Sequence, residues 1–255
     1  MKNLQRPYIS KFARSKCRHS YSEVNIGYDF VTDMLVLEFK LDDERINTSR
    51  VDNLWLGRAS QSLAEALRLA ASKYLDVEFT ELVTGYRHRQ NEKGSFIDVY
   101  LYDSLSSGAG YAVSVSGELE HLLREVYNIL NGCDCDSACY DCLKHYRNQH
   151  IHGMLDRYAA LDLLKWGESG EMACGISLAD QKQLLSQLSG ILALYDCHVM
   201  YKGDEIYVTK NNITKKLVIY PAMWREPVKK NIIYVNDAYF KYAKPYALRK
   251  IIDNI

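Results

Sequence analysis

The sequence predicts an α+β protein, a mixed sheet packed with helices, and three features carry that prediction. Period-two alternation at 31–41 and 97–102 reads as strand. Apolar residues at helical spacing in 62–74 and 119–130 read as amphipathic helices. Four cysteines then crowd into 133–142, directly after the second helical pattern, and mark a local knot in the chain.

The elements follow in order. Residues Val31 to Leu41 form the first expected strand, with Leu35, Leu37, Phe39 and Leu41 on one face. Ser62 and Glu65 have capping-box spacing and are expected to open a helix whose face is Leu63, Leu67, Ala70, Ala71 and Tyr74. Val77 to Val83 is a second expected strand. A third places Ile97, Val99 and Leu101 opposite Asp98, Tyr100 and Tyr102. The run Ser106-Ser107-Gly108-Ala109-Gly110 is a turn. A helix capped by Ser116 is expected next, with Glu118 and Glu120 at its positive end and Leu119, Leu122, Leu123, Val126, Tyr127 and Leu130 along its apolar side. Asn131-Gly132 ends it. After the cysteines, another helix is expected over 155–166.

Beyond Gly175 the pattern changes to a smaller α/β tail. It comprises a helix over 178–194, three or four short strands separated by Gly203-Asp204 and Asn211-Asn212, and a last helix over 246–252. The expected organisation is a basic segment at 1–24, a main domain at 25–170 and a small C-terminal domain at 171–255.

Composition narrows the class. The chain has 255 residues, 47% of them hydrophobic and 25% charged, which suits a packed core. Lys plus Arg and Asp plus Glu are both 32, so no global basic field advertises nucleic acid. Charge is nonetheless segregated: the first 22 residues hold Lys2, Arg6, Lys11, Arg14, Lys16 and Arg18 and no carboxylate, a segment able to lie along phosphates. No window approaches the ~18 consecutive apolar residues of a membrane span, so no membrane association and a cytoplasmic location are expected. Seven cysteines in a reducing compartment argue against a disulfide framework. Cys17, Cys174 and Cys197 are scattered and read as ordinary small side chains.

The other four, Cys133-x-Cys135-x3-Cys139-x2-Cys142, call for one shared explanation. Zinc takes four soft ligands in a tetrahedron with Zn–S distances of ~2.3 Å, and gaps of one, three and two residues let the chain turn between them. A closed four-thiolate site would be structural. An iron–sulfur cluster also takes four thiolates, at other familiar spacings. His145, His150 and His152 are near enough to replace one sulfur. Lys144, His145, Arg147, His150 and His152 form a basic patch next to the knot.

These residues also carry a resemblance. Asp103 with Ser107-Gly108-Ala109-Gly110-Tyr111, the four cysteines, Asn148 and Leu155-Asp156-Arg157 are together similar to the MrfA-type zinc-binding domain, over about residues 25–166. That domain lies at the C-terminus of bacterial superfamily-2 DNA helicases and in DrmB-like (DISARM) and related phage-defence proteins. The family tends to have two adjacent glycines where this chain has Ser107-Gly108. The resemblance implies a Zn2+ cofactor and a non-catalytic module of a DNA helicase complex, in antiphage defence or DNA repair, that positions DNA or a partner subunit. No G-x-x-x-x-G-K-[ST] phosphate loop is present, so the motor would be another subunit or a parent chain. Candidate nucleic-acid contacts are Lys144, His145, Arg147, Arg157, Arg14 and Arg18.

Other chemistry competes with this reading. Asp98 and Asp103 near the glycine turn could pair on magnesium, but strand alternation puts them on opposite faces, and Asp103 is better suited to capping the turn. The Gly108-Ala109-Gly110 turn could meet a phosphate at the next helix. Asp156 is placed to cap a helix while Arg157 reaches the knot, a phosphate or an ion-pair partner. Asp204 and Glu205 before one strand, with Lys215 and Lys216 opening the next, raise a nuclease subunit as an alternative function. A protein–protein scaffold without DNA affinity is a third.

Overall fold

The alternation in the first strand decides which side of the sheet is covered. The computed structural model describes residues 29–49, 53–105 and 107–255, and the basic segment with Arg14, Arg18 and Cys17 lies outside the described residues. Strand β1 (Met34–Leu41) turns Phe39 and Leu41 into the core and leaves Glu38 and Lys40 in solvent. It pairs antiparallel with β3 (Gly94–Asp103), which pairs antiparallel with β2 (Leu82–Asn91), giving the order β1-β3-β2. The register sets Phe39 opposite Ile97, Leu37 opposite Val99 and Leu35 opposite Leu101, so one face is continuously apolar.

Helix α1 (Leu54–Leu75) covers that face with fully buried Leu63, Leu67, Ala70 and Ala71. It begins eight residues before the expected start. Asn53 is its cap, accepting from the amides of Trp55 and Leu56 at 3.1 and 2.9 Å. Ser62 and Glu65 are buried in mid-helix and do not form a capping box. Their polar atoms serve partners far downstream in the chain, which local spacing does not register.

The strand expected over 77–83 is also corrected. Phe79–Glu81 is a 3-10 turn, fastened by the Arg68 guanidinium donating twice to the Phe79 carbonyl at 3.1 and 2.9 Å. Strand β2 begins at Leu82 and runs through polar residues up to Asn91.

The single helix expected from Ser116 is two: α2 (Tyr111–Gly117) and α3 (Leu119–Asn131). Ser116 lies inside α2, where its hydroxyl donates to the Val113 carbonyl at 2.7 Å and caps nothing. Leu122, Val126 and Leu130 of α3 are buried, as their spacing predicts. Helix α4 (Arg157–Ser169) packs beside α1 and α3. Gly167 admits the Phe39 ring against α4, since a Cβ there would sit 2.3 Å from a ring carbon.

The remaining elements are α5 (Leu178–Leu194), β4 (His198–Lys202), β5 (Glu205–Lys210), β6 (Ile213–Tyr220), β7 (Ile232–Asn236), α6 (Asp237–Tyr242) and α7 (Lys244–Asn254). Strands β4 to β6 are antiparallel neighbours and β7 joins β6 in parallel. Leu185, Leu188 and Leu192 of α5 share a second core with Ile206, Val208, Leu217, Ile219, Phe240 and Ile251. Short helix α6 has no counterpart in the sequence reading.

The link between β6 and β7 belongs to the first core: Ala222 and Met223 are buried there, and the Trp224 indole donates to the Ala173 carbonyl at 2.9 Å. Among the described residues, no helix is long and apolar enough to cross a membrane.

Candidate metal centre

Helix α3 stops at Gly132, and the chain enters the knot at once. The four cysteine sulfurs converge, each within 4.8 Å of the others. The Cys133–Cys139, Cys135–Cys142 and Cys139–Cys142 sulfur pairs are 3.5, 3.7 and 3.8 Å apart. A tetrahedron with ~2.3 Å arms has edges of about 3.8 Å, so the spacing fits four thiolates around one zinc ion. A tight turn sets the last two ligands, with the Lys144 amide donating to the Cys139 carbonyl at 2.9 Å and the Cys139 amide donating to the Cys142 sulfur at 3.2 Å.

Electrostatics favours a cation here. Burial, and then hydrogen bonds among the thiols, push Cys135 up to about 12. The Cys135 backbone amide, and then neighbouring thiols, pull Cys133 below the usual thiol range. Burial thus opposes ionisation of one sulfur while hydrogen bonds favour it at another, and a full tetrathiolate needs a positive charge at its centre. Among the described residues, this is the group of three or more ligating side chains that could hold a metal.

Among the described residues, no histidine joins it. The His145 Nε2 faces the Glu65 carboxylate at 3.3 Å, and the His152 Nε2 contacts the Asn148 side-chain oxygen at 2.8 Å. His150 is exposed.

Three buried polar residues position the knot. Arg157, 3% exposed, donates Nε to the Cys135 carbonyl at 3.1 Å and Nη1 to the Leu130 carbonyl at 3.0 Å. It therefore ties the end of α3 to the first ligand turn through carbonyl hydrogen bonds, where an ion pair was one expectation. Asp156 caps α4 by accepting from the Tyr158 and Ala159 amides, accepts from the Tyr242 hydroxyl at 2.7 Å, and donates its own amide to Ser62 Oγ at 2.7 Å. Asn148 donates to the Leu143 carbonyl at 2.8 Å and to Glu65 at 3.2 Å, and accepts from the His145 amide at 2.9 Å. Glu65 of α1 is thus the buried carboxylate on which the loop after the knot closes. Sequence reading missed this role, because 80 residues separate Glu65 from His145.

The remaining candidates are placed as follows. Lys144 is half-buried and Arg147 is exposed, both on the loop after the knot. Asp103 caps the glycine turn: its carboxylate accepts from the amides of Ala109, Tyr111 and Ala112 at 2.6, 3.0 and 2.9 Å. Those amides already have an anion, which removes the phosphate reading of the turn. Ser107 in this turn adopts φ 75°, the left-handed region that glycine enters at least cost. Asp98 is held by Arg87 and Arg89, and these guanidinium groups, Arg89 foremost, keep its carboxyl below the usual range despite burial. In the tail, Glu205 accepts from Lys216 at 2.5 Å and from the Tyr207 hydroxyl, Lys215 donates to the Asn254 carbonyl at 2.7 Å, and Asp204 is an exposed turn residue.

A family model agrees with this geometry. Residues 63–143 match the MrfA Zn-binding domain, a span that runs from the core of α1 through all four cysteines. The chain is 34% identical over 242 residues to Druantia protein DruE of Escherichia coli (strain UMEA 4076-1). That alignment covers 90% of this chain and 13% of DruE, so the chain corresponds to a small part of that relative. The crystal structure of the DUF1998 helicase MrfA bound to DNA is similar at 13% identity and a TM-score of 0.36, covering 56% of this chain and 26% of that one. Residues 63–143 are thus similar to a zinc-binding domain of the MrfA type, and zinc is the cofactor that the four cysteines fit.

Proposed function

We propose that this chain is a non-catalytic, zinc-stabilised module of a DNA-processing helicase assembly in prokaryotic defence or repair. In that role Cys133, Cys135, Cys139 and Cys142 hold one zinc ion, and the loop after them meets DNA. The observation that carries the reading is the four-sulfur cluster, spaced as a tetrathiolate and secured from outside by Arg157 and Asn148. With four protein ligands the ion has no open position for water or substrate, so its contribution is folding free energy. Lys144 and Arg147 then project from a loop that the knot and Glu65 hold still. The likeness to DruE supports the defence context, and the motor would reside in a parent chain or a second subunit.

The test is DNA binding by the zinc-loaded chain across a salt series. Salt-sensitive binding that weakens when Lys144 and Arg147 are both changed to Ala supports the module reading. A folded, zinc-replete chain with no affinity for DNA at low salt contradicts it and favours the scaffold. Magnesium-dependent cleavage lost in Glu205→Gln would instead support the nuclease.

A further inference from the structure

The knot and the loop after it present aromatic rings to solvent, which packing alone does not explain. Tyr146 is 82% exposed and Tyr140 is 67% exposed. Both stand on restrained backbone. Tyr140 lies inside the tight turn between Cys139 and Cys142, and its ring stands nearly perpendicular to that of His152 with the centroids 5.6 Å apart. Tyr146 follows His145, whose Nε2 faces Glu65, and precedes Arg147, whose amide donates to the His145 Nδ1 at 3.2 Å. Exposing large apolar rings on a rigid support forgoes the stabilisation their burial would bring.

Charge separates along this segment. Carboxylates Asp134, Asp136 and Asp141 fall in the gaps between cysteines, whereas 143–155 has no carboxylate and contains Lys144, Arg147, His145, His150 and His152. Tyr146 therefore sits between Lys144 and Arg147 in a stretch without acids.

We propose that Tyr146, flanked by Lys144 and Arg147, is a stacking platform for unpaired bases, so that this loop prefers single-stranded over duplex DNA. The inference rests on the DNA-binding reading above and adds the form of the ligand. A duplex hides its base faces and offers the loop only phosphates, for which the cations suffice. A single strand offers π-faces as well, and an exposed ring gains from them whatever the base. A tyrosine ring, with two χ angles, also loses little rotamer freedom on binding. Glu65 acts here as a positioning residue, since it fixes His145 next to the platform.

The test compares a fluorescein-labelled twelve-nucleotide oligo(dT) with a blunt twelve-base-pair duplex, using the zinc-loaded chain, Tyr146→Ala and Tyr146→Trp. Stacking on one base predicts that Tyr146→Ala weakens oligo(dT) binding by about 5- to 100-fold, with the duplex changed less than twofold and Tyr146→Trp restoring affinity. Zinc content and melting of the exposed-site variants serve as controls for folding. Equal loss on both probes, or no loss on either, overturns the platform while leaving the module reading intact. A wild-type chain that binds neither probe overturns both. Retained oligo(dT) affinity in Tyr146→Ala together with loss of a protein partner makes this a protein-docking surface and overturns the inference.

Discussion

Arg157 and Cys135 meet through the backbone: the buried guanidinium donates Nε to the Cys135 carbonyl at 3.1 Å, while Nη1 takes the Leu130 carbonyl at 3.0 Å. One side chain thus spans the junction where helix α3 becomes the metal knot. Replacing Arg157 with Ala leaves two inward-facing carbonyls unpaired and a void behind them, at a cost of about 2–4 kcal/mol. Lys supplies charge without the planar fork, so Arg157→Lys should recover little of that stability. Urea unfolding measures the first effect. Competition with a colorimetric chelator measures the second, with zinc held about 10- to 100-fold less tightly in the variant.

Glu65 accepts from Asn148 and faces His145, so it holds the loop after the knot from the opposite side. Glu65→Gln preserves shape but turns an amide donor toward one of these two donors. A loss of about 1–3 kcal/mol is expected, with amide exchange rising first over 143–152. Uniform exchange protection in that variant would contradict the positioning role.

Asp162 introduces a pH dependence. Burial, and then the negative charges of Asp156 and Asp237, push its carboxyl up to about 7. The folded chain therefore keeps a proton that the unfolded chain releases near the ordinary carboxylate value of 3.8. The stabilising contribution is complete below that value and is lost as pH rises through about 7. Asp162→Asn should therefore melt higher than the parent chain at pH 8, with the gap closing as pH falls toward 4. A gap independent of pH would contradict this assignment.

Ser107 at φ 75° carries backbone strain that glycine would relieve. A left-handed residue with a side chain costs roughly 1–2 kcal/mol, partly offset by the extra freedom glycine has when unfolded. Ser107→Gly should raise stability by up to about 1 kcal/mol, a few degrees in melting temperature for a chain of this size.

Much of this architecture was legible in the sequence where the physics is local. The alternation of Leu35, Leu37, Phe39 and Leu41, the helical spacing of Leu122, Val126 and Leu130, and the 178–194 helix all appear as read. The cysteine spacing carried the metal site for the same reason, since four ligands within one short segment leave few geometries. Asp103 as the cap of the glycine turn and Asp156 as the cap of α4 were also readable from local rules. The failures are non-local. Ser62 and Glu65 imitate a capping box, yet their partners, Asp156 and His145, lie 94 and 80 residues away. Strand β2 was hidden because its polar run, Arg87 to Gln90, pairs with β3 and supplies arginines to Asp98. Arg157 was read as reaching the knot, a phosphate or an ion-pair partner; it reaches the knot, and its burial against the Cys135 and Leu130 carbonyls emerges only once α3 and α4 are packed.

The central claim is tested most directly by the metal content of the purified chain and of Cys139→Ser, measured by plasma mass spectrometry alongside thermal melting. The account predicts a colourless protein with about one zinc per chain, and a variant that loses the metal and melts lower because binding energy at such a site is folding energy. Visible absorption with stoichiometric iron, or a Cys139→Ser variant with unchanged zinc and unchanged melting, would contradict it.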